Sequence, residues 1–111
     1  MKKRDDTVYL RHILDAIQRI QNYLAGVSYD EFLGNLLLQD GVVRQLEIIG
    51  EATTRFSIEF RDAHPEIAWA KMVGMRNRLI HVYFEVDLSI IWDTVHTDLA
   101  SLKQQIAQIL D

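Results

Sequence analysis

The sequence contains no cysteine, and its 111 residues include only one proline and five glycines. Without thiols, neither a disulfide framework nor a thiolate zinc site can form, and an intracellular protein is the simpler interpretation. So little proline and glycine leaves few residues for the turns of an all-β fold. The chain is 49% hydrophobic and 25% charged, which is too apolar for a disordered protein. We therefore predict one globular domain over residues 1–111.

Long hydrophobic runs are also missing. Uncharged runs such as residues 32–39 are far shorter than the ~20 residues of a membrane-spanning helix. The basic residues at positions 2–4 resemble the start of a signal peptide, but two acidic residues follow and no apolar core appears. These features predict a cytoplasmic protein with no membrane contact. The net charge of −4 argues against broad electrostatic coating of nucleic acid, but it allows one focused basic site.

Apolar residues recur at three- and four-residue steps along most of the chain, which is the period of an amphipathic helix. This pattern predicts five helical segments, over about residues 7–25, 30–38, 40–60, 65–81 and 87–109. The fold class predicted from them is all-α, an antiparallel bundle of four to five helices.

Local signals set the predicted boundaries. Gly26 would end the first helix in the left-handed conformation, and Ser28 with Glu31 forms a capping box before the second. Pro65 would occupy the first position of the fourth helix, where its missing amide is no loss, and Asp87 would cap the last helix.

The third segment carries two further signals. Gly50 costs about 1 kcal/mol relative to alanine in mid-helix, so we expect another helix to approach closely there. Charges of both signs at three- and four-residue steps, at positions 44, 47, 51 and 55, predict a solvated ladder of ion pairs. Residues 39–41, Gln-Asp-Gly, would kink or interrupt the chain before this segment.

A cationic stretch interrupts the acidic chain. Residues 67–84 include Lys71, Arg76, Arg78 and His81 but no aspartate or glutamate. A cationic, hydrogen-bonding segment beside an imidazole suits phosphate chemistry. Histidine can move protons near neutral pH, and the arginine fork matches the oxygens of a phosphate. Together, these two side chains could cleave RNA without a metal ion.

In that chemistry, His81 would deprotonate the ribose 2′-hydroxyl or protonate the leaving oxygen. Arg76 would stabilise charge on the five-coordinate phosphorus, Asn77 would fix the imidazole, and Tyr83 would bind or position RNA. The alternative is a surface arginine beside a histidine that merely favours the helix C-terminus.

Helical geometry constrains this proposal. At about 100° per residue, Asn77 and His81 share a face, whereas Arg76 and His81 point about 140° apart. Either the helix ends near His81 and the chain bends, or a two-fold dimer brings both copies of the motif to a shared cleft.

Other chemistry has weaker support. The remaining histidines, His12, His64 and His96, have no partner at metal-ligand spacing, so we predict neither a metal site nor a cofactor.

The pattern Arg76-Asn77-x-x-x-His81-x-Tyr83 resembles the Arg-x(4–6)-His-x-Tyr signature of HEPN-domain proteins, specifically the HepT-like toxin family. Neighbouring motifs agree with this resemblance: Ile-Ile-Gly-Glu-Ala at residues 48–52, Trp69, Val-Gly-Met at 73–75 and Tyr-Phe-x-x-Asp at 83–87. The resemblance extends from the first predicted helix to the last.

This resemblance implies a HEPN-like helical bundle that forms a homodimer and acts as a metal-independent ribonuclease, with Arg76 and His81 catalytic. It also implies the toxin of a toxin–antitoxin pair, whose partner, a minimal nucleotidyltransferase antitoxin, neutralises it by transferring AMP to Tyr83. Phosphates added beside Arg76 would occupy the cationic site and repel RNA. Glu51 belongs to a family motif without an assigned chemical role.

Two alternatives remain open at this point. One is a non-catalytic helical subunit that binds nucleotide or helps the nucleotidyltransferase recognise its substrate. The other is a plain dimerisation bundle.

Overall fold

A computed structural model describes residues 6–81 and 87–110, apart from the side chain of His81. The helices in these ranges are α1 (Asp6–Leu24), α2 (Tyr29–Leu33), α3 (Leu36–Thr53), α4 (Ile58–Ala63), α5 (Trp69–His81), α6 (Leu88–Asp93) and α7 (Leu99–Leu110). A π-helical turn over Thr94–Asp98 joins α6 to α7. The described residues thus form four long helical segments and two short helices, which confirms the predicted all-α bundle.

Helix α3 is the central element, since it packs against both α1 and α5. At the start of α1, the Asp6 carboxylate accepts hydrogen bonds from the amide and hydroxyl of Ser57, beyond the end of α3, at 3.2 and 3.1 Å. At the other end, a Cβ placed on Gly41 would lie 3.4 Å from the ring of Tyr23. Helices α1 and α3 are therefore antiparallel.

The predicted apolar stripes meet in one core. Its deeply buried members include Phe32 of α2 and residues from all four long segments: Leu10, Ile13, Ile17, Ile20, Val42, Ile49, Leu79, Ile91 and Ile106. Each such side chain contributes about 1.5–3 kcal/mol by leaving water. None of the helices in the described ranges combines enough length with enough apolar character to cross a bilayer.

Three predicted caps are confirmed. Gly26 has a φ of 72°, the left-handed conformation that ends a helix. Ser28 and Glu31 form the reciprocal capping box at 3.1 and 2.9 Å, and the hydrogen bonds from Ser28 lower the pKa of Glu31. Asp87 begins α6 by accepting from the Ser89 amide at 2.8 Å, and bonds from the hydroxyl and then the amide of Ser89 lower the pKa of Asp87.

The predicted interruption at residues 39–41 is wrong. The break lies earlier, because the Asn35 side chain accepts from the Leu38 amide at 3.0 Å and thereby starts α3. Gln39 continues the helix and donates its side-chain amide to the Phe32 and Leu33 carbonyls at 2.9 and 3.1 Å. These two hydrogen bonds satisfy C-terminal carbonyls of α2, so Gln39 stabilises the junction between α2 and α3.

This earlier break changes which leucines are buried. Phe32 is fully buried, whereas Leu36 and Leu37 are 69% and 83% exposed. They belong to the first turn of α3, whereas Phe32 belongs to α2.

Two boundaries farther along were also predicted incorrectly. The third predicted segment is two helices, because the Ser57 hydroxyl caps α4 by accepting from the Phe60 amide at 3.1 Å. The fourth begins at Trp69 rather than at Pro65, which lies in the preceding turn. The Trp69 indole donates to the His64 carbonyl at 3.0 Å and fixes this turn against the new helix.

Candidate active site

The site begins at the contact between α3 and α5. A Cβ placed on Gly50 would lie 2.1 Å from the Arg76 Cβ and 3.1 Å from the Met72 carbonyl oxygen. Carbon atoms in van der Waals contact lie about 3.5–4.0 Å apart, so only glycine fits at this position. The close approach expected at Gly50 is confirmed, and it places the root of the Arg76 side chain directly against α3.

The Arg76 guanidinium is held by two oxygen acceptors. Its Nη2 donates to Glu51 Oε1 at 2.7 Å, and its Nη1 donates to Asn77 Oδ1 at 2.9 Å. The other Glu51 oxygen accepts from Arg55 Nη2 at 3.2 Å. Glu51 therefore bridges two arginines, one in the turn that follows α3 and one on α5.

This bridge corrects the predicted ladder of ion pairs. Arg44 and Glu47 form the expected pair within α3 at 3.6 Å. Glu51 does more than pair within its own helix, because its shortest ion pair reaches Arg76, 25 residues along the chain. The Arg76 side chain is 28% exposed, so this pair is less solvated than the surface pairs of the ladder.

An open cleft of about 390 Å³ lies beside this pair, between α1, α3 and α5. Its charged lining comprises Arg44, Arg55 and Arg76 with Glu47 and Glu51, so cations outnumber carboxylates in an otherwise acidic chain. The cleft is large enough for the phosphate and sugar of a nucleotide, and its positive balance favours an anionic ligand.

Two residues from α1 complete the cleft, and sequence reasoning missed both. Tyr9 and His12 line the wall opposite α5, and their rings meet edge to face with centroids 6.0 Å apart. In the sequence, His12 stands out only as a possible metal ligand. No local signal places it here, because its position depends on the packing of α1 against α3.

The predicted site residues are only partly described. Arg76 lines the cleft, and Asn77 is exposed beside it with its oxygen on the guanidinium. His81 is the last residue of α5, but its imidazole and all of Tyr83 lie outside the described residues. The predicted contact of Asn77 with the imidazole and the joint action of Arg76 and His81 therefore stay predictions. Among the described residues, no three histidine, aspartate or glutamate side chains are grouped to hold a metal ion.

A second cavity lies between α3, α5 and the C-terminal segment. It has a volume of about 150 Å³ and separates α5 from the C-terminal segment, with Met72, Met75, Leu99 and Leu102 in its lining. An ion pair between Lys71 and Asp98 at 2.8 Å lies at its edge. Helix α5 is thus tightly packed against α3 at Gly50 and loosely packed toward the C-terminal segment.

Comparison with known proteins agrees with these features. The family model described as "Ribonuclease HepT-like" matches residues 13–109. The chain is 43% identical over 101 residues to "Probable ribonuclease HepT" of Thermococcus cleftensis, covering 91% of this chain and 92% of that protein. It is 39% identical over 109 residues to "Gamma-glutamylcyclotransferase and putative RNase MJ0434" of Methanocaldococcus jannaschii. That alignment covers 98% of this chain but 49% of the relative, so the chain spans about half of that longer protein.

No solved structure matches the chain. The matched residues nevertheless run from α1 to α7 and so span Gly50, Glu51 and Arg76. The chain therefore belongs to the ribonuclease HepT-like family, as the motifs in its sequence predicted.

Proposed function

We propose that this protein is a metal-independent endoribonuclease and the toxin of a toxin–antitoxin pair. The observation that supports it most is the Arg76 guanidinium, anchored against α3 and directed into a cleft with a positive balance of charge. An anchored guanidinium of this kind suits the stabilisation of charge that develops on a phosphate. Membership of the ribonuclease HepT-like family supplies the class of substrate.

The proposed reaction is an internal transesterification of RNA. The ribose 2′-oxygen attacks the adjacent phosphorus, and the bond from phosphorus to the 5′-oxygen breaks. His81 transfers a proton from the attacking hydroxyl or to the leaving oxygen, while Arg76 stabilises the charge on the five-coordinate phosphorus. The products are a 2′,3′-cyclic phosphate and a 5′-hydroxyl, and DNA is not cut because it lacks the attacking group.

A homodimer is part of this proposal. Residues 76–81 are helical, and positions five apart on an ideal helix lie about 140° from one another. A second copy related by two-fold symmetry would bring an imidazole to the arginine of its partner. Partly exposed Ile48 and Ile80 line the same cleft and provide apolar surface for such a contact.

The cleavage reaction can be tested directly. Incubation of the purified protein with an RNA oligonucleotide in excess chelator should yield fragments that end in a 2′,3′-cyclic phosphate. A DNA oligonucleotide of the same sequence serves as the control and should stay intact. Loss of cleavage in chelator, or equal cutting of DNA, would contradict the proposal. Nucleotide binding without cleavage would favour the alternative of a non-catalytic subunit.

The antitoxin in this proposal is a minimal nucleotidyltransferase that transfers AMP to Tyr83. After incubation with this partner and ATP, mass spectrometry should find whole AMP units on the peptide that contains Tyr83, together with loss of RNA cleavage. The negative charge of each AMP would compete with RNA for Arg76. A Tyr83→Phe variant should receive no AMP and remain active in the presence of the partner. Modification of that variant would refute the assignment.

A further inference from the structure

Glu51 presents a problem for a phosphate-binding site. Its carboxylate lies 2.7 Å from the Arg76 guanidinium, where it reduces the attraction of that arginine for an anionic ligand. A site built for affinity alone would do better without it. Orientation of the guanidinium is a reason for a carboxylate to be there.

We propose that Glu51 is a positioning residue that sets the orientation of the Arg76 guanidinium toward the scissile phosphate. This inference rests on the proposed ribonuclease function. Glu51 acts through Arg76 and does not itself contact RNA.

The donors of Arg76 show how this orientation works. A guanidinium has five N–H donors, one on Nε and two on each terminal nitrogen. Glu51 takes one donor of Nη2 and Asn77 takes one of Nη1, so two acceptors fix the plane of the group. Nε is buried and has no hydrogen-bond partner among the described residues. The remaining donors of Nη1 and Nη2 are therefore the ones that a phosphate oxygen can reach.

Arg55 in turn restricts Glu51. The second carboxylate oxygen accepts from Arg55, four residues along in the turn that follows α3, which limits rotation of the glutamate side chain. The Gly50 contact fixes the other end of the arginine, at its Cβ. The Arg76 side chain is thus held at its Cβ by Gly50 and at its guanidinium by Glu51, and both residues belong to α3.

The chain offers a matched control in Glu47. This glutamate lies one turn earlier on α3, lines the same cleft and pairs with Arg44 instead of Arg76. Glu47→Ala and Glu51→Ala each remove one negative charge from the cleft, but only the second releases Arg76. Comparing the two variants separates the effect of orienting Arg76 from the effect of removing a negative charge.

The expected result is a split between kcat and KM, measured on RNA for the wild type, Glu51→Ala, Glu51→Gln and Glu47→Ala. Both alanine variants should lower KM, because each removes a charge that repels RNA. Only Glu51→Ala should lower kcat, by about 10–100-fold, because a misplaced catalytic group costs about that much. Glu51→Gln retains an oxygen acceptor for Nη2 and should recover part of the lost kcat.

Unchanged kcat in Glu51→Ala, or equal losses of kcat in Glu51→Ala and Glu47→Ala, would overturn the inference while leaving the ribonuclease function in place. An inactive wild type would instead refute the ribonuclease function, and the positioning role with it. NMR of the arginine side chain adds a readout independent of cleavage. Rotation of the Arg76 guanidinium should be slow in the wild type and in Glu47→Ala but fast in Glu51→Ala.

Discussion

Replacing Arg76 by alanine is expected to reduce RNA cleavage by about 10²–10³-fold, the usual loss when one charge-stabilising donor is removed from a transition state. The loss should appear mainly in kcat, because the proposed contact strengthens as charge develops on the phosphorus. Initial rates in excess chelator would measure it, with unfolding curves to show that the variant is folded. His81→Ala should cause a comparable loss.

Arg78→Ala is the matched control for this experiment. Arg78 lies on the same helix and carries the same charge, but it is exposed and borders a different surface cleft. Its replacement should have a much smaller effect on kcat. Similar losses in Arg76→Ala and Arg78→Ala would show that cleavage depends on overall positive charge, which would contradict a specific role for Arg76.

The same variants can test the shared site. If one copy supplies the arginine and the other the histidine, mixing Arg76→Ala with His81→Ala chains should restore activity, because one site in each mixed dimer is intact. No restoration after the chains have exchanged would contradict the two-fold arrangement.

Replacing Gly50 by alanine is expected to destabilise the protein by about 2 kcal/mol or more, although alanine is the better helix former. The added methyl would lie 2.1 Å from the Arg76 Cβ, an atom that cannot rotate away because it is attached to the backbone of α5. The two helices must separate, so the variant should also lose RNA cleavage as Arg76 moves. Urea denaturation would measure the change in the free energy of unfolding.

Gly74 provides the control for this substitution. A Cβ placed on Gly74, in mid-α5, would meet no described atom within 4 Å, so Gly74→Ala should stabilise the protein by about 0.5–1 kcal/mol. Equal stability changes in the two variants would show that the approach of α3 to α5 is not tight.

The periodicity of apolar residues was enough to predict the bundle, because buried faces such as that of α1 repeat at helical spacing over many residues. Caps that stand alone were harder to predict. Asn35 and Ser57 are polar residues that suit a helix start or an exposed helical position equally well. Gln39 caps α2 from seven residues away, which no local sequence rule includes.

At the site, too, some features could be predicted from the sequence and others could not. Gly50 and the cluster around Arg76 were conspicuous in the sequence, since each departs from its surroundings in type or charge. The partners of Arg76 were not, because Glu51 is 25 residues away and also fits a surface ladder of ion pairs. His12 reaches the cleft only through the packing of α1 on α3.

The uneven packing of α5 has a consequence for how this helix can move. Helix α5 contacts α3 tightly at Gly50, whereas the flexible side chains of Met72 and Met75 line a cavity toward the C-terminal segment. A small tilt of α5 about its contact with Gly50 would therefore meet little steric resistance. Because Arg76 itself lies at this contact, such a tilt would move the rest of α5 more than it moves the arginine.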